Sequence, residues 1–410
     1  MEFPGAILMG AKLRLLPPSI PYRFFGAAVV FHILMWGLLG LSAEDLSTFS
    51  GGPGLTLAAV HAATLGVLAM TAMGASFQIL PVASGQAHRA LWPCRLAFWL
   101  FVPGTAVLVG GMALSHAMAM IAGAVLATAG LLLFAGVFID LLWRTSGLRA
   151  FALHAWSALA SLMALIALGL LLVADFETGL LAGTAIGHGG AALAHVVLAL
   201  YGFMGLLAIG FSHILIPMFS LANLPSGLRA RIAFATLIAA LVVAVAAALA
   251  PAGPPATVGL VAAAGLGLLG AGLHVHLMWS ALKTGMRKRL GLSFVLVKTG
   301  WVMLLLGFPV AALAALDLLG DSGPALFGFF VLFGWLLTFL MGILQRVIPF
   351  LAAMNASKSA GPPPRLSELA EQLPLKIHTG CHFAALAAIA VGIVLDQGQV
   401  IVLGASADSI

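Results

Sequence analysis

Twelve histidines are the residues of this 410-residue chain best suited to chemistry, because most of them lie within or at the ends of long apolar segments. His61 and His195 each lie about seven to ten residues inside such a segment, and an ionisable group in apolar surroundings indicates a functional site. A neutral imidazole nitrogen binds iron or copper, so this pair could bind one b-type haem or a metal ion. The alternative is that each imidazole only forms a hydrogen bond with a carbonyl of another helix.

Two further histidines could extend this site. His188 precedes His195 by seven residues, which places both on nearly the same helix face, with His188 nearer the outer surface. With His116 of an outer loop, His188 could complete an external copper site or bind a haem propionate; an exposed histidine without a role is the alternative. His32, in the middle of the first apolar segment, is a possible partner for His61.

A separate group of histidines lies near the opposite surface. His378 and His382 are four residues apart, which puts both on one helix face in a common two-ligand arrangement. His274 and His276 end the eighth apolar segment. A second haem held by His378 or His382 with one of these two is one possibility, and histidines that contact only lipid headgroups or water are the alternative.

The elements that must position these histidines are membrane-spanning helices. The chain is 62% hydrophobic and only 7% charged, which excludes a soluble fold of this length. Apolar runs of the roughly 20 residues needed to cross a bilayer predict eleven helices. They lie at about 21–42, 54–82, 92–114, 117–142, 150–174, 185–219, 230–250, 256–282, 290–315, 324–351 and 377–395.

The basic residues predict the orientation of these helices. Lysine and arginine cluster before helix 1 and in every second loop. The loops between contain no lysine or arginine, and several hold acidic residues, such as Glu44, Asp45 and Asp175. Because cytoplasmic loops are rich in lysine and arginine, we expect a cytoplasmic N-terminus in a bacterial inner membrane. The clusters used are Lys12, Arg14 and Arg23; Arg89 and Arg95; Arg144 and Arg149; Arg229 and Arg231; Lys283 to Arg289; Lys358, Arg365 and Lys376. Such short clusters indicate topology rather than nucleic-acid binding.

Three predicted helices share one pattern of glycine and proline. In helices 2, 6 and 10, glycines lie 15 and 7 residues before a proline, and the three prolines are 136 and 132 residues apart. The residues are Gly66, Gly74 and Pro81; Gly202, Gly210 and Pro217; Gly334, Gly342 and Pro349. Recurrence at four-helix intervals predicts three parallel four-helix repeats, approximately 20–145, 146–284 and 285–410 in a single transmembrane domain.

The third repeat is expected to lack a complete last helix. After Asp396 only about a dozen mildly apolar residues remain, too few to cross a bilayer as a helix. The fold prediction is therefore an all-α integral membrane protein of eleven or twelve transmembrane helices.

The repeat, the orientation and His61 resemble the catalytic subunit I of haem-copper oxidases and nitric-oxide reductases. The segment from His61 through Gly66 to Pro81 is also similar to the NnrS-type membrane proteins, divergent haem and copper relatives. The resemblance implies that His61 binds a haem and His195 a copper ion. Helix 10, however, has no histidine, and helix 7 has no histidine pair. Tyr201 follows His195 by six residues, which places it on a different helix face, and no acidic residue lies deep in a predicted helix. A proton-pumping oxidase is therefore disfavoured.

The leading functional hypothesis is a membrane protein with haem b, used in electron transfer, in a response to nitric oxide or another gas, or in a simple redox reaction. Its expected partners are the lipid bilayer and a quinone, a cytochrome or small membrane subunits. The alternatives are a transporter or copper-handling permease with a histidine-lined path, and an assembly subunit without cofactors. Whether the protein is an oxidoreductase is left open by the sequence.

Overall fold

Among the residues that the structure describes, eleven helices are long and apolar enough to cross a membrane, and they form the body of the protein. The computed structural model describes residues 14–356 and 369–409, which are helical and contain no strand. The helices are α1 (Ser19–Leu41), α2 (Leu55–Ser84), α3 (Trp92–Ala113), α4 (Ala117–Trp143), α5 (Arg149–Thr178), α6 (Gly187–Ser220), α7 (Leu228–Leu249), α8 (Pro254–Thr284), α9 (Leu292–Ala315), α10 (Gly320–Ala356) and α11 (Gln372–Leu395). The predicted multi-pass, all-α membrane protein is confirmed.

The residues after Asp396 form a short helix, α12 (Gly398–Asp408). Its 11 residues rise about 16 Å, roughly half of a bilayer core. The chain reverses at Asp396, whose φ of 52° lies in the left-handed region, and α12 then packs between α11 and α1. Gly392 permits the close return, because a methyl group there would lie 2.4 Å from the side chain of Ile401.

Three helices, α2, α6 and α10, lie at the centre of the molecule. They are 67%, 61% and 72% buried inside the protein over their most apolar stretch, whereas no other span exceeds 44%. Each contains a π-helical segment, at Ala62–Ala69, Leu198–Gly205 and Phe329–Leu337, and the three segments contact one another. In a π-helical turn the backbone bonds run from i to i+5, so these segments widen the helices where they meet.

Glycines bring each central helix against the helix that precedes it. A methyl group on Gly66 would overlap Phe31 of α1, one on Gly202 would overlap Ser161 of α5, and one on Gly334 would lie 3.1 Å from Met303 of α9. The second glycine of each helix lies about two turns further along and also contacts the preceding helix closely. Gly74 lies against Phe24, Gly210 against His154 and Gly342 against Ser293. These contacts allow backbones to approach closely within the membrane.

The two ends of the helix bundle differ in charge. At one end the basic loops lie together, since Arg144 donates to the carbonyl of Ala87 at 3.1 Å and the Arg287 N–H donates to the Ser220 carbonyl at 3.0 Å. At the other end Ser47, after α1, donates to Asp396, after α11. Of the basic residues used to predict orientation, Lys12, Lys358 and Arg365 lie outside the described residues.

Candidate functional site

His61 and His195 face each other between α2 and α6. Their ring centres are 6.4 Å apart and their planes differ by 25°. His61 lies immediately before the π-helical segment of α2, and His195 lies three residues before that of α6. The structure therefore brings together the two histidines that the sequence singled out, which are 134 residues apart along the chain.

Each imidazole of this pair keeps a nitrogen free for a ligand. The Nδ1–H of His61 donates to the Leu57 carbonyl at 3.0 Å, which leaves the Nε2 lone pair of the neutral ring available. The Nδ1 of His195 is buried and makes no hydrogen bond of standard geometry, although the Leu165 carbonyl of α5 interacts with the ring. A buried polar atom without a well-formed hydrogen bond costs free energy, so such a ring nitrogen beside a second imidazole is typical of a binding site.

A cavity of about 780 Å³ surrounds the pair. Its walls come from most of the helices and are largely leucine, valine, alanine and phenylalanine. This volume lies within the range of roughly 300–1,000 Å³ that is usual for small-molecule and cofactor sites, which are mostly apolar with a few polar groups. The cavity thus has the size and polarity of a site for a small molecule or a cofactor.

Tyr201 lines the same cavity, although its six-residue spacing from His195 suggested a different face. Its ring centre lies 5.2 Å from that of Phe308 and 5.8 Å from that of Trp335, and its buried hydroxyl has no partner in the structure. The π-helical segment after His195 explains the difference, because a wider turn changes which residues share a face. Hydropathy gives no signal for this change of hydrogen-bond register.

His188 lines the outer part of the cavity but is bonded elsewhere. Its Nδ1 lies 2.6 Å from the carboxylate of Asp175, which also accepts a 2.6 Å bond from the Leu181 N–H. His116 instead begins α4, where its Nδ1 accepts from the Ala119 N–H at 3.2 Å. The structure does not join His188 and His116, and no group of three metal-binding side chains occurs among the described residues.

His382 takes part in a fully buried network of hydrogen bonds that the sequence did not predict. Its Nδ1 is 2.8 Å from Asp408 of α12, and its Nε2 is 2.8 Å from the hydroxyl of Thr338, which donates to the Phe333 carbonyl. Both ring nitrogens of His382 are thus engaged.

His32 lies beside the hydrogen-bond network of His382 and Asp408 rather than beside His61. Its Nε2 accepts a 3.0 Å bond from the indole of Trp36, and its nearest titratable neighbours are Asp408, His378 and His382. Asp408 is the polar residue of this region that was not identified from the sequence. It could not be recognised from the sequence because the segment that carries it was not predicted to be helical.

His274 lies in a different cluster, with His213 of α6 and His154 of α5. The ring centres are 5.2 Å apart for His154 and His213 and 5.4 Å apart for His213 and His274. The structure therefore separates His274 from the histidines of α11, with which a second haem was considered. All three rings are buried, and the Nδ1 atoms of His213 and His274 have no partner in the structure.

Comparisons with known proteins add no assignment. The chain matches no protein-family model, and no curated protein matches it either. The functional argument therefore depends on the geometry of the cavity and its histidines.

Proposed function

We propose that the protein is a membrane haem b protein in which His61 and His195 bind the haem iron. The observation that carries this proposal is the near-parallel pair of imidazoles, 6.4 Å apart between ring centres, inside a large apolar cavity. His61 and His195 would hold the iron through neutral imidazole nitrogens, which are ligands that haem iron accepts. A bound haem would fill part of the apolar cavity around the pair.

The proposed fold is three parallel four-helix repeats, as in subunit I of the haem-copper oxidases. The π-helical segments support it, since those of α2 and α6 begin and end 136 residues apart, the same interval as Pro81 and Pro217. The segment of α10 ends 132 residues after that of α6, which matches the second proline interval. The equivalent glycine contacts with α1, α5 and α9 also support it.

The same proposal places the N-terminus and the basic end of the bundle in the cytoplasm of a bacterial cell. The concentration of arginine at that end and of carboxylates at the other supports this orientation. The haem would then lie nearer the outer surface than the cytoplasmic one.

The role of the haem is proposed to be electron transfer, a response to nitric oxide or another gas, or a simple redox reaction. A bound haem would supply one-electron chemistry and a site for diatomic gases. The protein's own contribution is to hold the iron with two neutral imidazoles and to keep water from it with an apolar wall. Tyr201 also lines that wall, and its buried hydroxyl, which has no partner in the structure, is free to donate a hydrogen bond to a polar group in the cavity.

An absorption spectrum of the full chain purified in detergent tests the proposal. We expect a Soret band that His61→Ala and His195→Ala each weaken or shift. His276→Ala is the matched control, because this exposed histidine of α8 lies outside the cavity lining. Wild-type protein that stays free of haem after incubation with hemin, while folded, would overturn the proposal.

A metal-handling permease is the second candidate, and the cluster of His154, His213 and His274 favours it. The three buried imidazoles do not form a group that could hold one metal ion together. Imidazoles placed one after another along a path would nevertheless suit copper or zinc, and they are not needed for a haem held by His61 and His195. Uptake of copper or zinc into vesicles containing the protein, lost in His213→Ala but kept in His61→Ala, would support this reading. Equal uptake by both variants would exclude the cluster as a metal path.

A further inference from the structure

A second cavity lies at the basic end of the bundle, far from the histidines of the first. It has a volume of about 480 Å³ and is formed where α8 meets α9 and where α10 meets α11. Three arginines line it: Arg287, Arg289 and Arg346. Its other polar side chains are those of Ser293, Gln345 and Gln372.

Among the described residues, Arg346 forms hydrogen bonds with neutral atoms only. Its Nε donates to the Ser293 hydroxyl at 2.8 Å, and one terminal nitrogen donates to the Leu290 carbonyl. The guanidinium is half-buried, and Arg287 is close enough to repel it electrostatically. Holding two like charges together at a half-buried position is unfavourable unless an opposite charge is present.

No carboxylate of the described residues compensates these arginines. The ion pairs found in the described ranges use Asp140, Asp175 and Asp408, none of which lines the cavity. Glu371 is adjacent in sequence to two lining residues, yet it is exposed and is not part of the wall. The cavity is therefore a cationic pocket in which the described residues supply no anion.

The backbone of the pocket is well fixed. The N–H groups of Met286 and Arg287 donate to the carbonyls of Leu221 and Ser220 at the end of α6, at 3.3 and 3.0 Å. Helix α9 begins at the pocket after Gly291, whose φ of 68° favours glycine, and no side chain caps its first N–H groups. Positive backbone dipoles thus add to the charge of the arginines.

We propose that this pocket binds a phosphate-bearing anion. Guanidinium groups bind phosphate through paired N–H bonds, and the planar fork of arginine suits this contact better than lysine does. The volume exceeds that of one phosphate, and Leu290, Leu292 and Leu375 add an apolar wall. This combination accepts a phosphate attached to an apolar or glycerol group. The source of the phosphate is either an anionic phospholipid at the membrane surface or a soluble phosphate compound.

Binding to the full chain, purified and delipidated in detergent, tests the proposal. The probes are phosphatidylglycerol and inorganic pyrophosphate, with zwitterionic phosphatidylcholine as the comparison lipid, and retention is followed by native mass spectrometry and by the shift in unfolding temperature. We expect Arg287→Gln and Arg346→Gln to weaken binding of the preferred probe at least about fivefold, as the loss of a charged hydrogen bond implies. Arg229→Gln is the matched control, because Arg229 is exposed at the same end outside the pocket and should change binding less than twofold.

The pattern across the probes identifies the source. Binding of phosphatidylglycerol alone indicates a lipid site, whereas pyrophosphate that binds and competes with the lipid indicates that the phosphate group suffices. Equal binding of all probes by wild type and both pocket variants would overturn the proposal. Arg287 is exposed, so we expect Arg287→Gln to stay folded. This variant still tests the pocket if Arg346→Gln is unstable. The result is independent of haem binding.

Discussion

Gly169 of α5 determines how closely that helix approaches the His195 ring. A methyl group at this position would lie 3.0 Å from Cε1 and 3.5 Å from Nδ1 of His195. Contacts of this length require the ring to shift by a few tenths of an ångström. The orientation of one proposed iron ligand thus depends on the absence of a side chain on a neighbouring helix.

Gly169→Ala should therefore weaken haem binding without unfolding the protein. Alanine favours helix over glycine by about 1 kcal/mol, so the helix itself gains stability while His195 is displaced. Gly265→Ala of α8 is the control, since nothing lies within 4 Å of the added methyl. Haem dissociation followed at the Soret band should be faster only in Gly169→Ala. Identical rates for both variants and wild type would show that this contact does not position the ring.

At the residue scale the sequence predicted the central pair but not its surroundings. His61 and His195 could be paired because both lie at similar depth on helices that share the glycine and proline pattern. Tyr201 was misplaced because the helical wheel assumes α-helical turns. The cluster of His154, His213 and His274 was missed because its members come from three helices whose packing the sequence does not specify.

At the element scale, the short helix α12 is held against the bundle by a buried contact between Asp408 and His382 and by apolar residues such as Ile401 and Ala405. The side chains of Asp408 and His382 are both completely buried, and Thr338 connects them to the π-helical segment of α10. The pair joins α12, α11 and α10 across 70 residues of sequence. A buried pair of this kind costs much more to break than an exposed one.

Asp408→Asn should lower the free energy of unfolding by about 3–5 kcal/mol, because it leaves the buried imidazole without its carboxylate. Thr338→Val should cost less, about 1–3 kcal/mol, since one ring nitrogen of His382 loses its hydrogen-bond partner. Thr178→Val is the control, as this threonine is exposed at the end of α5. Chemical unfolding in detergent measures all three. Equal midpoints for Asp408→Asn and Thr178→Val would show that α12 is held by its apolar contacts alone.

The helices themselves were predictable, and no observed end differs from its predicted position by more than five residues. Length and apolar composition suffice for this, since the bilayer sets both. The three π-helical segments were not predictable, because the change from i→i+4 to i→i+5 bonding leaves apolar composition unchanged. The short helix α12 agrees with the expectation that the last repeat lacks a complete twelfth span, but apolar length alone does not predict where such a short helix packs.

At the scale of the whole molecule, the two ends of the bundle have opposite charge. The loops with arginine contact one another at one end, and Glu44, Asp396 and Asp175 lie at loops of the other. This asymmetry is what fixes orientation during membrane insertion.

Labelling with a membrane-impermeant maleimide tests that orientation. In a Cys381→Ser background, in which the remaining Cys94 is buried, a cysteine replacing Ser226 of the α6–α7 loop should react only after the membrane is opened. A cysteine replacing the exposed Thr48 of the α1–α2 loop should react in intact cells. The reverse pattern would invert the proposed topology. The variants should otherwise behave as wild type, since both loops are exposed.

The wall of the histidine cavity has a consequence for biogenesis. Both histidines enter the membrane with the first six helices, yet the residues that enclose them extend from Leu46 to Ile393 of α11. A nascent chain that has inserted only as far as α6 holds the two imidazoles beside an open, lipid-accessible groove. The complete wall of the cavity therefore requires helices that are synthesised after both histidines.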